Sequence, residues 1–250
     1  MTPEIQTCFD VILTDAEREE ARQLTYTRYP ARNAGALELA LDKEFLWEPG
    51  DTLRVSFLGG DPSLHARIKP YVLQWCDYAD IRFDFLPYTA GEYPAAEIRI
   101  SFVPDGTSWS RIGTEALQVA NPAQPTMNFG WLKPESEEWI VRRVALHEFG
   151  HALGCIHEHM NPKGGIPWDT DAVYKYYTEK QRWTRAMVDK NLFTKYAEDQ
   201  INGSAYDEQS IMHYPIDASL RLDRKAIPWN TELSVQDKAY IATVYPKPVP

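Results

Sequence analysis

Three short stretches alternate apolar and polar side chains: TLRVSFL at 52–58, IRFDFL at 81–86 and EIRISFV at 97–103. A period of two, with Pro49-Gly50 and Gly59-Gly60 bracketing the first run, predicts strands. Between the first two runs, Leu64, Ile68, Tyr71, Trp75 and Tyr78 recur at helical spacing over 63–78. Pro70 falls inside that pattern and predicts either a kink there or a helix start near Lys69. Strand, helix, strand, strand is the order of a mixed sheet with a crossover helix.

The pattern is less regular on either side. Residues 15–24 read as a charged helix, 28–35 as a loop broken by Pro30, Asn33 and Gly35, and 36–46 as a second short helix. Residues 108–131 are turn-rich, with short strands expected at 116–120 and 126–129. Pro134 and the acids at 135–138 start a helix whose buried faces carry Trp139, Ile140, Val144, Phe149, Ala152 and Leu153, and which closes at about Gly154. Beyond it, 161–168 is loop, 171–181 and 185–193 are helical, and 210–215 (SIMHYP) is a tight apolar-aromatic turn. A last helix starts at Ser234, with Asp237 completing a capping box, and runs to about Val244. The expected architecture is α+β. One lobe reaches to about residue 154 and holds the sheet; an irregular, helix-containing lobe follows over 155–250, with a cleft between them. Residues 1–45 stand apart as an N-terminal extension to a domain over 46–250.

Composition narrows the function. A formal net charge of −10 argues against a nucleic-acid partner, whose footprint is a basic patch. No run approaches 18 apolar residues, so no membrane span is expected. The first 20 residues show no secretory signal, which predicts a cytoplasmic or non-classically exported protein, or a secreted one if the chain has been trimmed. Three widely spaced cysteines, Cys8, Cys76 and Cys155, do not form a disulfide framework or a C-x-x-C zinc site.

The chemistry concentrates at 147–159, HEFGHALGCIHEH. His147 and His151 are i and i+4 on a helix, so both imidazoles leave one face and can share one metal ion. Gly154 lets the chain leave the helix through a left-handed turn, so that His157 swings back as a third ligand. Three neutral nitrogens and an open fourth position make a catalytic zinc site. Glu148 supplies the general base that a metal-activated water needs. His65, His159 and His213 are expected to point elsewhere, and Cys155 to pack beneath the helix end.

The spacing H-E-x-x-H-x-x-G-x-x-H resembles that of the metzincins, zinc endopeptidases with a methionine turn beneath the metal. SIMHY at 210–214 looks like that turn, with Met212 as its methionine. Glu158, directly after the third histidine, together with S-x-M-H-Y, resembles the astacin branch; LWEPGDTLRVSF, SWSRIG and LSVQDKAYIATVYP are similar to its opening strand, pre-helix loop and closing helix. The resemblance covers roughly residues 46–246. It implies the two-lobed metzincin fold, one catalytic zinc ion, and a peptide or protein substrate bound as an extended strand, which 116–120 is placed to receive. Tyr214 would donate to the oxyanion and act as a switchable zinc ligand, while Met212 supports the histidines from below. The pocket for the residue after the scissile bond would be built by the loop at 200–209. Two other readings stand beside this one: a zinc-containing binding or effector protein without proteolysis, and a metzincin of another branch.

The chain departs from the animal members, which carry disulfides, a signal peptide and a pro-segment, and looks more like a bacterial or fungal relative. The family's aspartate switch has the form F-x-G-D, whereas FLGGD at 57–61 has a glycine too many and sits in strand pattern. Glu158, whose counterpart often holds the mature N-terminus, is expected to be structural here. Cys8 is the one thiol upstream of the domain. If residues 1–45 are an inhibitory pro-segment, its thiolate would fill the open zinc position.

Overall fold

The computed structural model describes residues 8, 11, 13–33, 45–195 and 205–248. Helix α1 (Asp15–Arg28) outruns its expected end at 24 and is started by a full capping box between Thr14 and Glu17. The stretch expected as loop after it forms the one-turn helix α2 (Pro30–Asn33), since proline costs nothing at the first helical position. The short helix expected at 36–46 lies outside the described residues up to 44.

Strand β1 (Thr52–Phe57) leads to α3 (Pro62–Leu73), which Asp61 caps through its side chain and Pro62 opens. The helix therefore starts well before Lys69. It carries Pro70 within it and tightens into a 3-10 turn at Gln74–Asp77. Strands β2 (Arg82–Phe85), β3 (Ile98–Ser101), β4 (Ser108–Ser110) and β5 (Met127–Phe129) complete a five-stranded sheet in the order β2-β1-β3-β5-β4. Leu53 pairs with Phe83, Val55 with Ile98 and Ile100 with Met127 in parallel register, whereas Trp109 opposes Asn128 in an antiparallel pair. The sheet is mixed, as expected, with the antiparallel strand at the edge.

The expected strand at 116–120 is not one. Gly113–Gln118 winds into a 3-10 helix, with Glu115 N bonded to Ile112 O at 3.0 Å and Val119 N to Ala116 O at 3.2 Å. It packs against a helix rather than a strand: α1 lies across it, the hydroxyls of Thr25 and Thr114 meet at 2.7 Å with both side chains buried, and Gln118 Nε2 donates to Glu17 O. The sheet edge beside the helix that carries His147 and His151 is β4 instead.

That helix is α4 (Glu138–Ala152), buried along most of its length from Val141 onward. Phe149 meets Phe83 edge-on at 5.1 Å, and Trp75 Nε1 donates to Leu146 O at 3.1 Å, so the sheet and the 3-10 turn after α3 both pack against α4. After it come α5 (Thr170–Glu179), α6 (Arg185–Val188) running into one π-helical turn at Asp189–Phe193, and α7 (Val235–Val244), with Ser234 and Asp237 forming the expected capping box. Buried residues group into one core around the sheet and α4, and a second built by Val173, Trp183, Leu192, Tyr214 and Ile216 among others. The class is α+β. No helix among the described residues is long and apolar enough to cross a membrane.

Candidate metal centre and catalytic groups

The histidines of α4 stand one turn apart, their rings edge-on at 4.8 Å. The helix is closed by Leu153, and Gly154 then turns at φ +93°; a Cβ there would also lie 2.5 Å from Leu46 Cδ2. That turn returns His157 to the helix. Its Nε2 lies 3.2 Å from His147 Nε2 and 3.1 Å from His151 Nε2.

The outer ring nitrogens decide what these contacts mean. His147 Nδ1 lies 2.8 Å from Ile211 O, and His151 Nδ1 lies 2.8 Å from Cys155 O. A carbonyl only accepts, so both Nδ1 atoms carry the proton and both Nε2 atoms present lone pairs inward. Facing lone pairs repel unless a cation lies among them. Zinc–nitrogen bonds of about 2.0–2.1 Å in tetrahedral geometry place neighbouring nitrogens about 3.3 Å apart, close to the observed spacing. The donor set fits zinc. Burial, and after it the Arg143 guanidinium, hold His147 well below the usual imidazole range, which favours the neutral, ligating form.

Cys8 is the fourth member of this group: its Sγ and one nitrogen from each of His147, His151 and His157 lie within 4.8 Å of one another, all from buried residues. The thiol also donates to Glu148 Oε2 at 3.3 Å. Cys8 forms a parallel bridge with Ser108 of β4, and its carbonyl accepts the Tyr214 hydroxyl. Cys8 thus stands beside the three histidines and bonds to both the expected base and the expected oxyanion donor.

The turn at 210–215 lies under the site. Ser210 Oγ donates to Asp237 Oδ1 at 2.7 Å and Ile211 N to Asp237 Oδ2 at 2.8 Å, which ties the turn to α7. Met212 presses against α4 so closely that a Cβ on Gly150 would sit 2.4 Å from its Sδ. Tyr214 stacks on His159 at 4.3 Å and meets the His157 ring at 4.4 Å.

The remaining candidates are engaged elsewhere. His65 stacks on Phe57 at 3.8 Å with Nε2 2.7 Å from Gly59 O. His159 Nε2 lies 2.7 Å from Asn191 O, and His213 spans Tyr206 and Tyr214. Cys155 is buried in the core beneath the helix end. Glu158 accepts from Asn161 Nδ2 at 3.0 Å and Asp207 N at 2.9 Å, and burial raises its carboxyl to about 7. Asp61 caps α3.

Two features of the site escaped the sequence. Gly150 is required by the close approach of Met212. Arg143, one turn before His147 and 3% exposed, donates to the carbonyls of Ile211, Asn230 and His213; burial lowers it to about 10, so it stays charged at neutral pH. It also helps line a pocket beside Glu148 and Tyr214, with Trp131, Pro215 and Trp229. The loop expected to shape such a pocket lies outside the described residues as far as 204.

A solved structure of myroilysin is 40% identical, covering 82% of this chain and 97% of its own, with a TM-score of 0.77. The chain belongs to the astacin-like zinc metalloproteases of the metzincin clan. A second myroilysin structure is 34% identical over 98% of this astacin-like chain and 93% of its own, with a TM-score of 0.66. High choriolytic enzyme 1, a hatching enzyme zinc-protease from the medaka fish Oryzias latipes, shares the fold at 19% identity and a TM-score of 0.52, covering 81% of this chain and 95% of its own. A scan of protein-family models and a search of curated proteins gave no match.

Proposed function

We propose that this astacin-like chain is a single-zinc endopeptidase in which His147, His151 and His157 hold the metal, Glu148 is the general base and Tyr214 donates to the oxyanion, and that residues 1–45 are an inhibitory pro-segment delivering Cys8 to the fourth ligand position. The observation that carries the reading is the convergence of three imidazole Nε2 atoms with Glu148 directly beside them and Cys8 Sγ completing the group.

Bound zinc supplies Lewis acidity, lowering the pKa of a coordinated water from about 15.7 toward 7 and polarising the scissile carbonyl. The rest is work for the protein's own groups. Glu148, buried and one residue from a ligand, takes the proton of the attacking water and passes it to the leaving amine. The Tyr214 hydroxyl, occupied by Cys8 O in the full chain, turns to the oxygen of the substrate carbonyl once that partner leaves. An extended peptide would then pair with β4, where Cys8 now bridges Ser108, and its backbone hydrogen bonds would give sequence-tolerant binding.

The docking of α1 supports the pro-segment reading. Besides the Thr25–Thr114 pair, Arg28 lies 3.3 Å from Glu97 and over the Trp47 ring at 5.2 Å, and Tyr29 donates to Asp51. Cys8 and α1 therefore both pack against the part of the chain that holds the histidines.

The test compares full-length Cys8→Ala with Cys8→Ala/Glu148→Gln on an unbiased peptide library, with zinc content measured in both. The first is expected to cleave peptides, to stop on adding a chelator and to recover with zinc. The second is expected to lose turnover by on the order of 100- to 10,000-fold while keeping one zinc ion per chain. Retained cleavage in the second protein would refute the role of Glu148, and a zinc-loaded first protein that cleaves nothing would favour a non-proteolytic zinc protein.

A further inference from the structure

Arg143 is a buried charge on α4, one helical turn before His147. Burying a guanidinium is costly unless its hydrogen bonds are met. Here they are met by backbone carbonyls from two separate segments. Nη1 donates to Ile211 O and, at 3.1 Å, to Asn230 O; Nη2 donates to His213 O at 2.8 Å. The Trp229 ring faces the guanidinium at 5.6 Å.

Two of those acceptors flank Met212. Ile211 O is also the acceptor for His147 Nδ1, so residues one helical turn apart use the two lone pairs of a single carbonyl. That carbonyl sets which ring nitrogen of His147 faces the metal. His213 O belongs to the peptide group leading into Tyr214, so the same planar fork fixes the backbone from which the Tyr214 hydroxyl projects. A guanidinium can hold two carbonyls in fixed relation; an ammonium, a point charge on a flexible stem, cannot hold both in that geometry.

We propose that Arg143 is a positioning residue for the zinc site, clamping the two carbonyls on either side of Met212 and so setting both the His147 ligand and the Tyr214 hydroxyl. The proposal rests on the zinc-peptidase reading, but it makes claims about metal binding that need no peptide cleavage.

The experiment places Arg143→Lys, Arg143→Met and Arg143→Ala in the full-length Cys8→Ala protein. Three quantities are measured: zinc affinity by chelator competition, the visible spectrum of the cobalt-substituted protein, and kcat and KM separately. Arg143→Met is expected to weaken zinc and to lower kcat, each by on the order of 10- to 100-fold, with KM within about twofold and an altered cobalt spectrum. Arg143→Lys should fall between Met and the parent. Millimolar guanidinium should restore the cobalt spectrum and kcat of Arg143→Ala toward the parent's while leaving the parent unchanged.

Parental zinc affinity, cobalt spectrum and kcat in Arg143→Met would overturn the proposal. So would a set in which every loss follows the drop in thermal stability and guanidinium restores nothing. If Met and Ala fail to fold, Arg143→Lys decides: a parental cobalt spectrum in that variant overturns the proposal, and a perturbed one on a folded protein supports it. An inactive Cys8→Ala parent would count against the peptidase reading, and the zinc and cobalt measurements would still decide this one.

Discussion

Cys8 Sγ donates to Glu148 Oε2 across 3.3 Å, although 140 positions separate the two residues. If the sulfur binds zinc as a thiolate, its proton passes to Glu148 across this contact, so in the proposed zymogen one residue would both fill the open metal position and leave the proposed base protonated. Replacing Cys8 by alanine should release both. If the thiolate is favoured over water so that about 1% of full-length protein is open, Cys8→Ala raises turnover roughly 100-fold. Rates of the two zinc-loaded proteins on one peptide check this; equal rates contradict it.

Tyr214 is buried, stacked on His159 and bonded through its hydroxyl to Cys8 O. In the Cys8→Ala background, Tyr214→Phe keeps the ring and removes the donor. It should lower kcat by on the order of 100- to 1,000-fold with KM and zinc content little changed. A fall confined to KM would assign Tyr214 to substrate binding instead.

Gly150 is the position where α4 and the methionine turn touch. Alanine gains roughly 1 kcal/mol of helix propensity over glycine, but its Cβ would lie 2.4 Å from Met212 Sδ in a close-packed site, where overpacking costs about 1–3 kcal/mol. Gly150→Ala should therefore lower the melting temperature and weaken zinc binding. A higher melting temperature with unchanged zinc affinity would show that the contact relaxes without cost.

Burial lowers the His213 imidazole from 6.5 to about 4. Its Nδ1 lies 2.7 Å from Tyr214 O and its Nε2 2.8 Å from the Tyr206 hydroxyl, which suits the neutral ring. The unfolded chain takes up this proton near pH 6.5 and the folded one only near 4, so stability is full above 6.5 and falls between 6.5 and 4, by at most about 3 kcal/mol. Urea unfolding of the zinc-free protein at pH 7.5 and pH 5 should show wild type losing more than His213→Gln. Equal losses contradict the assignment.

The grouping of the three histidines over the turn at 210–215 was legible because each part depends on short-range spacing: His147 and His151 on one helical turn, His157 on Gly154, Met212 and Tyr214 on a five-residue turn. The strands at 52–58, 81–86 and 97–103 were legible because their side chains alternate apolar and polar, even in β3, where Arg99 and Ser101 are buried along with Ile98 and Ile100. Residues 116–120 were misread because a short, mostly apolar run also fits a 3-10 helix pinned beneath α1, a contact made with residues about 90 positions upstream. Strand β4 is three residues long, too short to show a period. Arg143 and Gly150 have roles only against residues some 60 to 90 positions further on, and no local pattern announces either. Cys8 could be singled out as a lone upstream thiol, but its place among the histidines follows from how the N-terminal extension packs.

The central claim is that three histidines and Cys8 hold one zinc ion in the full-length chain. Zinc-edge X-ray absorption on the zinc-loaded protein measures this directly. The account predicts three nitrogen neighbours at about 2.0–2.1 Å and one sulfur at about 2.3 Å, with the sulfur lost in Cys8→Ala. A first shell of nitrogen and oxygen alone in the full-length protein would contradict it.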